Sequence, residues 1–110
     1  MPLSEKVRIE IFIPDLPDPV YAGILEELGN ELTYAYGGCT ILATSGKYRS
    51  SSGLILADKV QLLFSDTPFV WSKDRLPVEL YADRMRIVVK RALSQEESIL
   101  VVVYPVFHAN

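Results

Sequence analysis

The sequence predicts an α+β sandwich with the element order β-α-β-β-α-β, and three observations carry that prediction. Val7 to Ile13 alternates, with Val7, Ile9, Ile11 and Ile13 on one face and Arg8, Glu10 and Phe12 on the other. A period of two marks a half-buried strand. Two stretches, residues 19–36 and 78–93, instead repeat apolar residues at helical spacing. Three more segments, 39–50, 54–65 and 99–107, are rich in apolar and β-forming residues and bounded by turn formers.

The elements follow in order. "PDLPDP" ends strand 1. Asp18 is placed to cap helix 1, with Pro19 at its first position. Tyr21, Ile24, Leu25, Leu28, Leu32 and Ala35 form that helix's apolar face, and Gly37 is its stop. Strand 2 is expected over Cys39–Ser50 and strand 3 over Leu54–Ser65, joined by the "SSSG" turn, where Gly53 can take a positive φ. Gly46 and Ala57-Asp58 suggest bulges or bends. "SDTPFVWSKDRLP" reads as a loop. Helix 2 follows over Val78–Leu93, with Val78, Ala82, Met85, Val89 and Ala92 inward, and Arg86, Lys90 and Arg91 near its C-terminus, where the helix dipole favours cations. Strand 4 covers Ile99–Phe107.

This order is the ferredoxin-like split βαβ pattern, with sheet order 4-1-3-2 and both helices on one face. The other face must meet water or a partner. Strand 4 is apolar on both sides, as a strand buried on both faces would be. The open face is expected to carry Phe12, Lys59, Gln61 and Leu63, joined from strand 4 by Leu100, Val102 and Tyr104. Packing of that face against another subunit gives the expectation of a homo-oligomer, dimer or trimer.

Composition bounds the rest. A chain of 110 residues is one domain able to bury a core without staples. Its 49% hydrophobic content is high for a small chain and agrees with a subunit contact. A net charge of −3 gives no electrostatic footprint for nucleic acid. One cysteine forms no internal disulfide, and no Cys/His cluster has metal spacing, so neither metal nor other cofactor is expected. Glu10 and Pro14 interrupt any signal-peptide pattern, and "SILVVVYPVF" is about half the roughly 20 residues of a membrane span. The expected location is cytoplasmic.

Candidate chemistry is sparse, and no catalytic residue is assigned. Cys39 and His108 are the only residues of their types. They fall on opposite edge strands, roughly 14 Å apart at about 4.8 Å per strand, against the about 3 Å that a nucleophile and its base need. Cys39 then reads as a small buried hydrophobe and His108 as a frayed terminal residue. Gly46-Lys47 is followed by Tyr48, and Ile41 stands where a phosphate loop has its first glycine, which excludes that motif. The hairpin is more informative. Its arms outrun strand 1 by roughly 13 Å at about 3.3 Å per residue. Its tip carries Lys47, Tyr48, Arg49, Ser50, Ser51 and Ser52. Such an arm could clasp a neighbouring subunit, or hold an anion with Lys47, Tyr48, Arg49, Ser51 and Ser52, or be a solvated hairpin. Phe69 and Trp71 are loop aromatics expected to fold back on the core. The pairs Glu26-Glu27 and Glu96-Glu97 read as solvated, and Asp15, Asp18 and Asp58 as turn or capping residues.

Two resemblances add expectations. Gly38-Cys39-Thr40-Ile41-Leu42, then Gly46-Lys47-Tyr48-Arg49, Gly53 and Glu97-Ser98-Ile99-Leu100, resemble a family of small uncharacterised bacterial proteins with a ferredoxin-like pattern. That family implies no site residues. Tyr48-Arg49-Ser50 is similar to a stretch on the long loop that PII-like signalling proteins project between strands 2 and 3, although the connection here is shorter and "SQEES" lacks their glycine-rich nucleotide segment. The combined expectation is a non-enzymatic, oligomeric, ligand- or partner-binding module. The alternative is a small cofactor-free enzyme of the dimeric α+β barrel type. Its pocket would draw on Tyr21, Tyr34, Tyr36, Tyr81 and Tyr104.

Overall fold

The computed structural model describes residues 3–94 and 99–109. The elements are β1 (Leu3–Pro14), α1 (Pro19–Tyr36), β2 (Thr40–Arg49), β3 (Ile55–Thr67), α2 (Trp71–Ala92) and β4 (Leu100–Ala109). The four strands form one antiparallel sheet in the order β2-β3-β1-β4, the ferredoxin-like arrangement. Both helices cover the same face. The Glu96-Glu97 pair, with Ser98, lies outside the described residues.

The core follows the alternation of β1. Val7, Ile9, Ile11 and Ile13 are almost wholly buried beneath Tyr21, Leu28 and Leu32 of α1 and Val78, Met85 and Val89 of α2. Asp18 caps α1 as expected, accepting from the Val20 N–H at 3.0 Å. Gly37 ends it at φ 88°, a left-handed conformation that glycine adopts without a Cβ clash. Tyr36, rather than the exposed Ala35, closes the apolar face, packing edge-on against Phe69 and Tyr81.

Four expectations are corrected. First, β1 begins at Leu3, because β4 pairs with it down to Leu3↔Ala109. Second, α2 begins at Trp71 rather than Val78. Its first turn leaves helical geometry at Asp74, so Pro77 does not break it. Third, β2 and β3 pair residue for residue from Thr40↔Phe64 to Arg49↔Ile55, with no bulge at Gly46 or Ala57-Asp58.

The fourth correction concerns faces. Ile11 pairs with Leu63 and Ile13 with Gln61, so Leu63, Gln61 and Lys59 lie on the helix side of the sheet. Leu63 is fully buried in the core. The open-face residues of β3 are instead Val60, Leu62, Phe64 and Asp66. Leu62-Leu63-Phe64 is apolar on both parities, and only pairing with β1 decides which way each side chain turns. Phe12, Leu100, Val102 and Tyr104 do stand on the open face.

The hairpin projects. β1 pairs with β3 as far as Pro14↔Val60, and the Asp15 N–H donates to the Lys59 carbonyl at 2.9 Å. Beyond that, β2 and β3 pair only with each other, from Gly46↔Asp58 to Arg49↔Ile55. At about 3.3 Å per residue this arm reaches roughly 13 Å past β1.

Candidate functional site

Residues directly opposite in an antiparallel sheet share a face, so the register spells out the open surface in rows. One row is apolar: Leu42, Leu62, Phe12 and Leu100, across β2, β3, β1 and β4. The next toward the chain termini is Thr40, Phe64, Glu10 and Val102, and the one after it Asp66, Arg8 and Tyr104. Two shorter rows follow, Lys6 with Val106 and Ser4 with His108. An apolar stripe therefore lies beside a polar cluster.

The cluster is built around Asp66. Arg8 donates to it twice, from Nε to Oδ1 at 2.7 Å and from Nη2 to Oδ2 at 3.0 Å. His108 Nε2 lies 2.7 Å from Asp66 Oδ2. The Arg8 guanidinium also stacks on Phe64, 4.3 Å from the ring centre. Beside it the Tyr104 hydroxyl donates a short hydrogen bond to Glu10 Oε2. Although no helix covers this face, the Arg8 and Asp66 side chains are only 27% and 17% exposed.

The charges respond accordingly. Arg8, then His108, hold the Asp66 carboxyl below its usual range against the opposing effect of burial. Asp66 in turn raises the already high pKa of Arg8. The hydrogen bond to Glu10 pushes the Tyr104 phenol up, burial adds to that, and Arg8 pulls it partly back. Each side chain of the cluster is thus matched by a neighbour. Ser4 stands opposite His108 in the register, but no hydrogen bond joins the two.

His108 is therefore not a frayed end. It belongs to β4 and is tied to the sheet through Asp66. Cys39 precedes β2 at the opposite edge and packs, half-buried, against the core on the helix side. Burial pushes its thiol up. A thiol kept neutral is a poor nucleophile. Cys39 and His108 are thus separated by both strand order and face.

The hairpin-tip residues do not converge. Strand alternation puts Lys47 and Arg49 on the helix-side face of the arm and Tyr48, opposite Leu56, on the open face. Ser50 and Ser52 hydroxyls bond each other at 2.9 Å, and Ser50 Oγ accepts from the Leu54 N–H at 3.2 Å, so they build the turn. Ser51 is exposed beside them. The arm instead exposes apolar surface: Ile55 is 75%, Leu54 63% and Tyr48 50% exposed.

The tyrosines do not surround one pocket either. Tyr36 meets Phe69 and Tyr81 beside the helices, Tyr21 is in the core, Tyr34 is exposed and Tyr104 is on the far face. A polar surface hollow of about 430 Å³ lies where α1 turns into β2, against Gly37, Gly38, Cys39 and Asp66. Among the described residues no group of three or more His, Cys, Asp or Glu side chains stands together as a cation site. No helix among them is long and apolar enough to cross a membrane.

Arg8, Glu10 and Tyr104 could be placed on this face from the alternation of strands 1 and 4. Asp66 and His108 escape that reading because both lie beyond the expected strand ends. Extending the alternation of strand 3 from Leu62 and Phe64 by one step would have found Asp66. No protein-family model matches this chain, and no curated protein does.

Proposed function

We propose that this protein is an oligomeric partner-binding module whose working surface is the open sheet face, continued along the hairpin arm, and whose first partner is a second copy of itself. One observation carries the reading. The apolar row Leu42–Leu62–Phe12–Leu100 runs unbroken across all four strands, and Tyr48 and Leu56 extend the same face into the arm. Leu42 and Leu100 are 47% and 57% exposed.

Size supports it. Four strands at about 4.8 Å spacing and about ten residues at about 3.3 Å make a plate of roughly 600 Å², to which the arm adds more. A standard interface covers about 800 Å² per partner. A two-stranded ribbon is marginal in water by itself, so a partner lying on the arm would also stabilise it. The polar cluster would form the wet rim, its charges already paired within each copy and so less costly to desolvate.

Sedimentation equilibrium at micromolar concentration tests the reading. Wild type should sediment as an oligomer, and Phe12→Asp, which puts a charge into the apolar row, should reduce the assembly. A monomeric wild type ends the proposal. Lys47→Ala combined with Arg49→Ala tests the ligand version of the arm. Anion binding that disappears in this variant, with assembly unchanged, would move the function from partner to ligand.

A further inference from the structure

The two helices share one layer but differ in charge. On α1, Glu26, Glu27 and Glu31 are exposed, and the helix carries no basic residue. The second half of α2 exposes Arg84, Lys90 and Arg91, with Arg86 beside them. Its one acid over residues 81–92, Asp83, is taken up by Arg86 at 2.9 Å. A surface hollow of about 530 Å³ opens among Arg86, Ile87, Lys90 and Arg91. Apolar side chains are mixed into this surface: Leu76 is 64%, Leu80 63% and Val88 52% exposed.

What could cover such a layer? Packed helices lie about 8–10 Å apart, about one Debye length at 0.1 M salt. A flat anionic partner, such as a lipid surface or a nucleic acid, would meet the α2 cations and the α1 acids together. Its attraction to one helix would be offset by repulsion from the other. A second copy of this chain has no such conflict. Rotated about a two-fold axis that lies between the two layers and runs along the helices, it sets α1 of each protomer against α2 of its partner, and the same contact is made twice. We infer that the helical layer is a self-complementary contact surface between copies of this chain. Glu26, Glu27 and Glu31 of one copy face Arg84, Lys90 and Arg91 of the next, and the exposed apolar side chains fill the space between. This face is opposite to the one proposed above and does not depend on it. If both operate, sheet-face pairs are joined through their outer layers.

The test is a charge swap in the full chain, made in the Phe12→Asp background so that association through the sheet face does not contribute. One variant carries Glu26→Lys, Glu27→Lys and Glu31→Lys. The other carries Arg84→Glu, Lys90→Glu and Arg91→Glu. The parent should self-associate at about 50 mM salt and weaken roughly tenfold or more at about 500 mM, because rim charges are screened. Each swapped variant alone should stay monomeric, and an equimolar mixture of the two should recover association. Circular dichroism checks folding, and Gln substitutions at the same six positions serve if a swapped variant does not fold. A parent that is monomeric at low salt overturns the inference, as does association insensitive to both salt and swap. Parent binding to phosphatidylserine vesicles in preference to itself also overturns it. None of these outcomes decides the sheet face, whose own test is the difference in assembly between wild type and Phe12→Asp.

Discussion

Asp66 accepts from Arg8 and bonds His108 at once, and it does so on a surface with no helix above it. Asp66→Asn should cost about 1–2 kcal/mol in urea unfolding at neutral pH, the range for a partly exposed charge-assisted pair. The pH dependence has a definite sign. The folded carboxyl titrates below its unfolded value, so its stabilisation is present above about pH 4 and is lost as pH falls through the lower folded value. The stability gap between wild type and Asp66→Asn should therefore close on acidification from about pH 4 downward; a gap that stays constant would show that the carboxylate charge is not what stabilises. Tyr81 is the opposite case. Its hydroxyl is buried without a hydrogen-bond partner, and burial, reinforced by Tyr36 and Glu31, pushes its phenol far up. Tyr81→Phe should be neutral or stabilising by up to about 1 kcal/mol, measured by thermal unfolding, because an unsatisfied polar group is removed with little change of shape. Neither Asp66 nor its partner His108 shows its role in sequence. Asp66 sits in "FSDTP" and His108 next to the penultimate residue, and only the pairing of both β3 and β4 with β1 brings them together.

Elements with local signals were legible, and those held by distant partners were not. Helix α1 carries Asp18, Pro19 and Gly37 within its own sequence, and its ends fall at 19 and 36 as expected. Helix α2 has no such marker at its start. Val70 occupies its N-cap without a side-chain cap of its own, the Val70 N–H donates to Asp74, and the Trp71 N–H donates to Glu5 Oε2 at 2.9 Å. That last cap comes from β1, 66 positions away, and no pattern around residue 71 announces it. Glu5→Ala should therefore destabilise the chain by about 1 kcal/mol, as loss of an N-cap does. Trp71 is the only tryptophan, so its fluorescence should report loosening of this turn before the global transition. A single coincident transition in the variant would show that Glu5 does not hold the turn.

At the scale of the molecule, the strand order could be derived because short connections and two helices on one face leave few alternatives. The face assignment of β3 could not, since apolar residues occupy both parities from Leu62 to Phe64. That parity decides what the arm does. With Leu62 outward, the same face carries Tyr48 and Leu56, beyond the Thr44–Val60 and Gly46–Asp58 pairs, and the arm presents apolar side chains on that face rather than a separate basic grip. Removing residues 46–49 and 55–58 together, while keeping the 50–54 turn, deletes four paired positions from each strand. An even number preserves which way every remaining side chain faces. None of the eight residues is buried, so the shortened chain should keep its circular dichroism and its melting temperature within a few degrees, since core packing is untouched. Self-association should weaken by at least about tenfold, or about 1.4 kcal/mol, read by sedimentation equilibrium. If the shortened chain assembles as tightly as the full one, the arm is a solvated hairpin, and the contact belongs to the sheet face alone.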